Sequence, residues 1–472
     1  MIKKLFLGAA VIATVAIAYV THFILGASKI AAGYVAQTYC TNVIMLGRDK
    51  ADITANDLSD LQRKVTSSEI YSDYVATQFN VGPIALRTRY ALHRPGLGCS
   101  IVVDSDLDEL RQQGIKGEFV SPTPSNWPEV NKNLLDVDYK VLNQGLDAAF
   151  YESTSQRNQQ QFTRAVIVHY RGHIIAERYA DDWAPNIPHR AMSVTKSFSS
   201  AVTGALVQDG KLAINSATGL DGWSKPNSLK SNVTLAHILN MTSGFAYQEE
   251  MESDPLNVLN RMLYAEKNAG AYAAQQALDK EAGSFWDYQT TNSVLLQYIA
   301  RKALNDDQQY FRYAQEKLFN KLGMGKSFFQ ADSSGTFLGG ASLYATARDF
   351  TRLGLLYLHD GVINGERIFP EGWVDFTRTP SKASMQRNAY GAQFWLNAPS
   401  KNQWNADLPE DMYAAKGHYG QYIVIIPSMD LVIVRQGMTY APAKFDLDKL
   451  IKTVVDALPT PQVAAKALAA SD

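Results

Sequence analysis

An α/β (α+β) fold, an antiparallel sheet flanked by helices with an all-helical lobe inserted between its strands, is predicted by three observations. Two β-hairpin patterns lie far apart in the chain: RAVIVHY, Arg171-Gly172 and HIIAERYA make one, and QYIVII, Pro427-Ser428-Met429-Asp430 and LVIVRQ make the other. Each places β-rich runs of strand length on either side of a compact turn. Between them, TLAHILN, NVLNRMLYAEKNAGAYAAQQAL and SVLLQYIARKAL have helical length and spacing, which suits a helical lobe better than more sheet. One sheet built from sequence-distant strands is the economical arrangement.

Taken in chain order, Lys3 and Lys4 precede a 21-residue stretch from Leu5 to Leu25 whose only strongly polar side chains are Thr14, Thr21 and His22. A helix of that length can cross a bilayer, and the lysines favour an inward N-terminus with the remainder exported, on the periplasmic side of an inner membrane. Secretory signals share this order of charge and apolar run, so cleavage near Ala16 or Ala18 is the alternative. The run exceeds the usual signal core and has no obvious processing site, which favours an anchor. Residues 1–30 are read as this segment, 31–140 as an N-terminal extension packing on the main body, 141–458 as that body and 459–472 as a loose tail. Export permits a disulfide between Cys40 and Cys99, the two cysteines of the chain; two separate buried thiols are the alternative. In the body, Val194, Phe198, Ala201, Val202, Ala205 and Leu206 line one face of a helix that Ser193 opens and Gly210 ends. DLDKLIKTVVDAL reads as an amphipathic helix after the second hairpin.

Composition removes several classes of function. Apolar residues make up 46% of the 472 residues, enough for a substantial core and unlike a disordered or collagenous chain. Lysine and arginine (45) balance aspartate and glutamate (46), so charge does not favour nucleic acid as a partner. Two cysteines exclude a four-cysteine zinc site, and no His-Glu-x-x-His pattern or compact histidine triad favours a metal hydrolase. Gly325-Lys326-Ser327 lacks a phosphate loop's glycine five places earlier, where Asn320 stands. No Gly-x-Ser-x-Gly elbow surrounds Ser193. Neither a metal nor another cofactor is required.

The sharpest motif is Ser193-Val194-Thr195-Lys196. Three residues apart at a helix start, serine and lysine occupy neighbouring parts of one face. A serine hydroxyl is a weak nucleophile until a nearby base takes its proton, and a lysine can do so where its surroundings favour the neutral amine. The helix start adds backbone N–H groups that can receive developing negative charge. Downstream stand Tyr288-Gln289-Thr290-Thr291-Asn292 and Lys416-Gly417-His418-Tyr419-Gly420-Gln421.

In this order the motifs resemble the serine beta-lactamase and penicillin-binding-protein superfamily, particularly its class C-like branch of esterases, beta-lactamase-related hydrolases and 6-aminohexanoate-dimer hydrolases. The resemblance spans roughly Val141 to Gln436. It includes further landmarks at Asp209-Gly210-Lys211-Leu212, Thr234 to Gly244, Gly339-Gly340-Ala341-Ser342 and Leu358-His359-Asp360-Gly361. It implies a beta-lactamase/transpeptidase-like fold with Ser193 as nucleophile and Lys196 and Tyr288 as the proton-transfer pair. Asn292 matches the branch's later asparagine, and His418, Tyr419 and Gly420 align with the Lys-Thr-Gly triplet as substrate-positioning residues. The backbone N–H groups of Ser193 and Gln421 would form the oxyanion hole. Two departures stand out: Thr290 occupies the place where class C beta-lactamases carry asparagine, and His418 replaces the triplet's lysine. Both disfavour efficient beta-lactam turnover. The expectation is a metal-independent serine hydrolase acting on a small-molecule ester or amide, held at a membrane by its N-terminal segment. A short amide-oligomer hydrolase, a weak beta-lactamase and a catalytically silent cell-envelope binding protein are the alternatives.

Overall fold

The computed structural model describes residues 2–117, 127–152, 156, 159–247, 249 and 254–459. The Ser121-Pro122-Thr123-Pro124 stretch, whose prolines mark a break in the sequence, and the tail beyond Pro459 lie outside the described residues. The chain divides into two compact units.

The first unit comprises Met1–Gly114, Glu249–Tyr272 and Gln330–Thr336. Helix α1 (Ile2–Tyr39) runs without interruption through residue 30, where the sequence suggests a boundary, and continues into a π-helical turn at Cys40–Met45. Among the described residues it provides the one helix long and apolar enough to cross a membrane. Its environment changes along its length. Val15, Ile17, Tyr19 and Val20 are exposed, whereas Val35, Ala36 and Tyr39 are buried with Val75, Ala91 and Cys99. Those partners come from a four-stranded antiparallel sheet of β1 (Thr66–Ile70), β2 (Tyr74–Val81), β3 (Ile84–Arg94) and β4 (Gly98–Ile101), paired in that order. The extension thus has a sheet of its own. Its polar centre is Arg94, fully buried, which donates to Ser100 Oγ, Gln113 Oε1 and the Asp332 carbonyl.

Cys40 and Cys99 are joined by a disulfide that ties the end of α1 to β4. It spans 59 residues of sequence, and closing a loop of that size in the unfolded chain corresponds to roughly 4 kcal/mol of stabilisation. Reduction, or the paired change Cys40→Ser and Cys99→Ser, is therefore expected to lower the denaturant midpoint of a fluorescent probe in this unit. Equal midpoints for oxidised and reduced protein would contradict the assignment of this bridge as a stabilising clamp.

The second unit comprises Ile115–Gln248, Ala273–Phe329 and Phe337–Asp472. After α2 (Tyr139–Phe150) come β5 (Thr163–Tyr170) and β6 (His173–Tyr179), the first hairpin expected from the sequence. The two-residue β7 (His189–Arg190) leads to α3 (Thr195–Gln208), and α4 (Thr290–Leu304) follows. Then come β8 (Phe328–Phe329), β9 (Leu343–Ala345), α5 (Ala347–Leu358), β10 (Trp395–Leu396), β11 (Tyr413–Gly417), β12 (Gln421–Ile426), β13 (Leu431–Gly437) and α6 (Leu447–Asp456). The main sheet has the order β10-β11-β12-β13-β5-β6 and is antiparallel throughout, while β7, β9 and β8 make a small second sheet.

The sheet is covered on both faces, which explains why every residue of β5 and β13 is buried. On one face Leu142, Leu146, Leu450, Ile451 and Val454 of α2 and α6 pack on Val166, Val168, Val424 and Ile433. On the other, α5 lies so close at Gly354 that a Cβ there would come within 2.6 Å of Val432. Helix α3 packs behind it through Phe198 and Phe350, whose rings are 5.9 Å apart. The helix-rich middle forms largely as expected. The exceptions are the helix Val258–Tyr264 and the start of the helix Ala269–Gln275, which belong to the first unit rather than to a lobe of the second.

Candidate active site

The segment that carries Ser193 is fixed before α3 begins. Strand β7 pairs with β9, and Arg190 donates to the Ala341 carbonyl (3.3 Å) and to Ser342 Oγ (3.0 Å). Met192 then adopts a left-handed conformation (φ +48°), and Met192–Val194 forms a single 3-10 turn ahead of the helix. Ser193 therefore stands two residues before the α-helix that the sequence expects it to open. From Pro188 to Leu206 it is the single residue that is not buried. A polar side chain left open at the start of an otherwise buried helix faces the positive end of the helix dipole.

Lys196, almost wholly buried, points back to it. Its Nζ donates to Ser193 Oγ (3.2 Å), Thr290 Oγ1 (2.8 Å) and the Gly340 carbonyl (2.8 Å). Three acceptors match the three donors of an ammonium group. The Gly340 carbonyl gets this close because Gly339 and Gly340 lack side chains: a Cβ at Gly340 would lie 2.3 Å from Thr290 Cγ2, and one at Gly339 would lie 2.4 Å from Gln297 Cγ. The ring centroid of Tyr288 is 5.0 Å from Lys196 Nζ, within cation–π range. On its other sides that ring stacks on Trp395 (5.2 Å) and meets Tyr390 edge-on (6.0 Å). Asn292 is fully buried in the first turn of α4, accepts from Ser243 Oγ and donates to the Gln289 carbonyl (3.4 Å). It braces the Thr242-Ser243-Gly244 loop against α4.

The opposite wall is the turn between β11 and β12. Gly417 is pressed against the turn that carries Ser193, where an added Cβ would lie 2.7 Å from the Ala191 carbonyl and 3.2 Å from Val194 N. His418, Tyr419 and Gly420 form the turn itself, with left-handed φ at Tyr419 (+61°) and Gly420 (+82°). Its shape is held from behind by Arg435. That fully buried guanidinium donates to the carbonyls of Tyr419 (3.2 Å), Gly420 (2.8 Å) and Gln161 (2.7 Å) and to the hydroxyls of Thr163 (2.8 Å) and Thr439 (3.0 Å). A side chain at position 420 would sit 1.9 Å from its Nη1, which leaves room for glycine alone. Gln421 lies opposite Gly417 in the ladder, buried, and its side-chain amide pairs with the backbone of Gly437 on β13.

Residues 152–448, more than half of the chain, match the family model described as Beta-lactamase. The chain belongs to the beta-lactamase family. Among characterised proteins, the 6-aminohexanoate-dimer hydrolase of Paenarthrobacter ureafaciens is 24% identical over 296 residues, which cover 59% of this family member and 74% of that enzyme. A Bacillus anthracis structure described as a candidate 6-aminohexanoate-dimer hydrolase superposes with a TM-score of 0.57 at 20% identity, covering 71% of this chain and 89% of the other. A family VIII carboxylesterase superposes with a TM-score of 0.52 at 15% identity, covering 68% and 97%. At these identities the two structures speak for the fold alone.

In this beta-lactamase family member the structure brings Ser193, Lys196 and the ring of Tyr288 together and sets the Gly417–Gly420 segment beside them. Asn292 is not in that group; its contacts run to Ser243 and Gln289. Sequence reasoning misses three contributors. Thr290 stands out in the sequence only as a departure from the class C pattern, yet it is a direct partner of Lys196. The Gly340 carbonyl is hidden in a landmark without a role, although two adjacent glycines are a signal of close backbone approach. Arg435 lies inside LVIVRQ, where a charged residue in a buried strand is the available clue.

Lys416, next to Gly417, lies against the indole of Trp404, with Nζ 5.8 Å from the ring centre of Trp395. Burial draws its pKa down to about 7, opposed by the charge of Asp448. An unfolded lysine titrates near 10.4, so between pH 7 and 10 the unfolded chain binds the extra proton and unfolding free energy rises with pH. Below pH 7 the cost of the buried charge is felt in full. Lys416→Met is therefore expected to raise the thermal midpoint at pH 7 and to narrow its lead over the wild type as pH climbs to 10. A constant difference across that range would contradict the depressed pKa.

Proposed function

We propose that this protein is a serine hydrolase that cleaves a small ester or amide through an acyl-enzyme. The observation that carries the reading is the partly open Ser193 hydrogen-bonded to buried Lys196 at the start of α3. In the reactive form Lys196 has given up one ammonium proton, so that a lone pair replaces its donor toward Ser193; Ser193 Oγ then attacks the substrate carbonyl carbon as its proton passes to that neutral amine, giving a tetrahedral oxyanion. Tyr288 lines the route by which the proton reaches the leaving oxygen or nitrogen. The C–O or C–N bond then breaks, an alcohol or amine departs, and a water molecule delivered by the same groups releases the acid and restores Ser193.

The oxyanion would be met by the N–H of Ser193 and by a second N–H from the β11–β12 turn. The sequence favours Gln421 for that second donor. The packing of Gly417 on Ala191 and Val194 favours the next peptide, that of His418, because it follows the residue in contact with the nucleophile turn. His418 and Tyr419 would position the substrate. The departures at Thr290 and His418 support an ester or linear amide over a beta-lactam, and the characterised relative is a 6-aminohexanoate-dimer hydrolase. Helix α1 would anchor the protein in a membrane, with the two units exported.

Ser193→Ala is expected to abolish fluorophosphonate labelling and to lower ester turnover by roughly 10⁴-fold or more. Intact-mass analysis of folded wild-type protein with no adduct at Ser193 would favour a silent binding protein instead. Removing one acceptor of a buried donor costs about 1–3 kcal/mol. Thr290→Val should therefore slow labelling of Ser193 by roughly ten- to a hundred-fold while leaving the circular dichroism unchanged, and Thr290→Ser should restore it. Labelling of the Thr290→Val protein at the wild-type rate would remove Thr290 from the proton-transfer group.

A further inference from the structure

The first unit carries a second apolar surface, and its position follows from register alone. Gln37 Nε2 donates to the Cys99 carbonyl (2.9 Å), Cys40 is bonded to Cys99, and a Cβ on Gly33 would lie 3.3 Å from Ile101. Moving backward along α1 therefore means moving forward along β4. Strand β3 is antiparallel to β4, with Arg94 opposite Gly98 and Ala91 opposite Ile101. Running β3 back from Ala91 to Ile84 thus follows α1 toward its N-terminus. That distance is about 23 Å at 3.3 Å per residue, the length of about fifteen helical residues. Counted from Gly33, it reaches the exposed Ala18–Val20 part of the apolar stretch.

At this end the β2–β3 hairpin presents Val81 and Ile84, 52% and 62% exposed, on either side of Gly82-Pro83. Leu61, 68% exposed, lies at the same end, because its helix (Asp60–Val65) leads into Thr66, which pairs with Phe79. Basic side chains accompany them: Lys64 on that helix and Arg87 opposite Phe79, with Arg63 paired to Asp60. Apolar tips bordered by lysine and arginine, level with a membrane-crossing helix, have the composition of a surface that enters the headgroup layer of anionic lipid.

We infer that the β2–β3 hairpin and Leu61 rest in the surface of the bilayer that α1 crosses, giving the first unit a second point of contact with lipid. This rests on the reading of α1 as an anchor. Cys40 and Cys99 are bonded and no cysteine is free, so an added thiol can be labelled selectively in the full chain. Val15→Cys, Val81→Cys, Ile84→Cys and Gln112→Cys proteins would carry an environment-sensitive nitrobenzoxadiazole probe in phosphatidylcholine–phosphatidylglycerol vesicles. Gln112 reports from the opposite end of the sheet, beside Gln113, the partner of Arg94. Blue-shifted emission quenched by brominated lipid is expected at positions 15, 81 and 84 and not at 112. Quenching at 15 alone would overturn the hairpin contact and keep the anchor. Quenching at 81 and 84 without 15 would keep the surface contact and remove the crossing helix. A shift at 81 and 84 that follows protein concentration in detergent without lipid would assign the surface to a second copy of the chain and overturn the inference.

Discussion

A buried ammonium group with three donors has to find three acceptors, and the centre of the second unit is arranged around that requirement. Lys196 takes one from its own helix start, one from the first turn of α4 and one from the Gly340 carbonyl. Each unmade hydrogen bond at such a site costs about 1–3 kcal/mol. The amine therefore holds three sequence-distant segments to a common point. The Gly339-Gly340 pair, the threonine at position 290 and the left-handed turn at Met192 all follow from bringing acceptors to it. Ser193 is the acceptor that stays partly open.

The other wall obeys the same logic with a different cation. Arg435 comes from the middle of the sheet, on β13, and spends its donors on neutral carbonyls and hydroxyls, two of them in the His418–Gly420 turn. A hairpin turn with two left-handed residues is adaptable on its own. Pinned from behind by a rigid, planar guanidinium, it becomes part of the scaffold. The candidate site is thus bounded by two buried cations. One shares its donors with Ser193, and the other faces away from it and fixes the backbone that lies alongside.

Much of this is legible in sequence where a single segment carries its own signal. The hairpins β5–β6 and β12–β13 announce themselves by β-rich runs and by turn residues, and Ser193 and Lys196 share one helical turn, so their meeting follows from spacing. Contacts across segments are less legible. Nothing local to Thr290 says that its hydroxyl rather than an asparagine amide will meet Lys196, and nothing local to Gly340 says which donor its carbonyl will reach. The four-stranded sheet of the first unit escapes sequence reading for another reason. Strands such as TSSEI and YVATQFNV are short, and their polar residues do not alternate cleanly with apolar ones although the burial of β1 does alternate.

The N-terminal helix shows why the end of an apolar run in the sequence does not mark the end of a helix. An apolar run that ends near Leu25 invites a boundary soon after it, since lipid and protein are different solvents for a helix. Yet Ala, Val, Ile and Tyr serve both, and α1 carries them from its exposed part into the core around Cys99. At 1.5 Å per residue its 38 residues form one rod of about 57 Å. A bilayer needs roughly 30 Å of it, and the remainder is long enough to be clamped by the disulfide and by β3 and β4. A continuous helix transmits orientation as a flexible linker does not. The first unit is accordingly held at a defined angle to whatever surrounds the exposed part of α1.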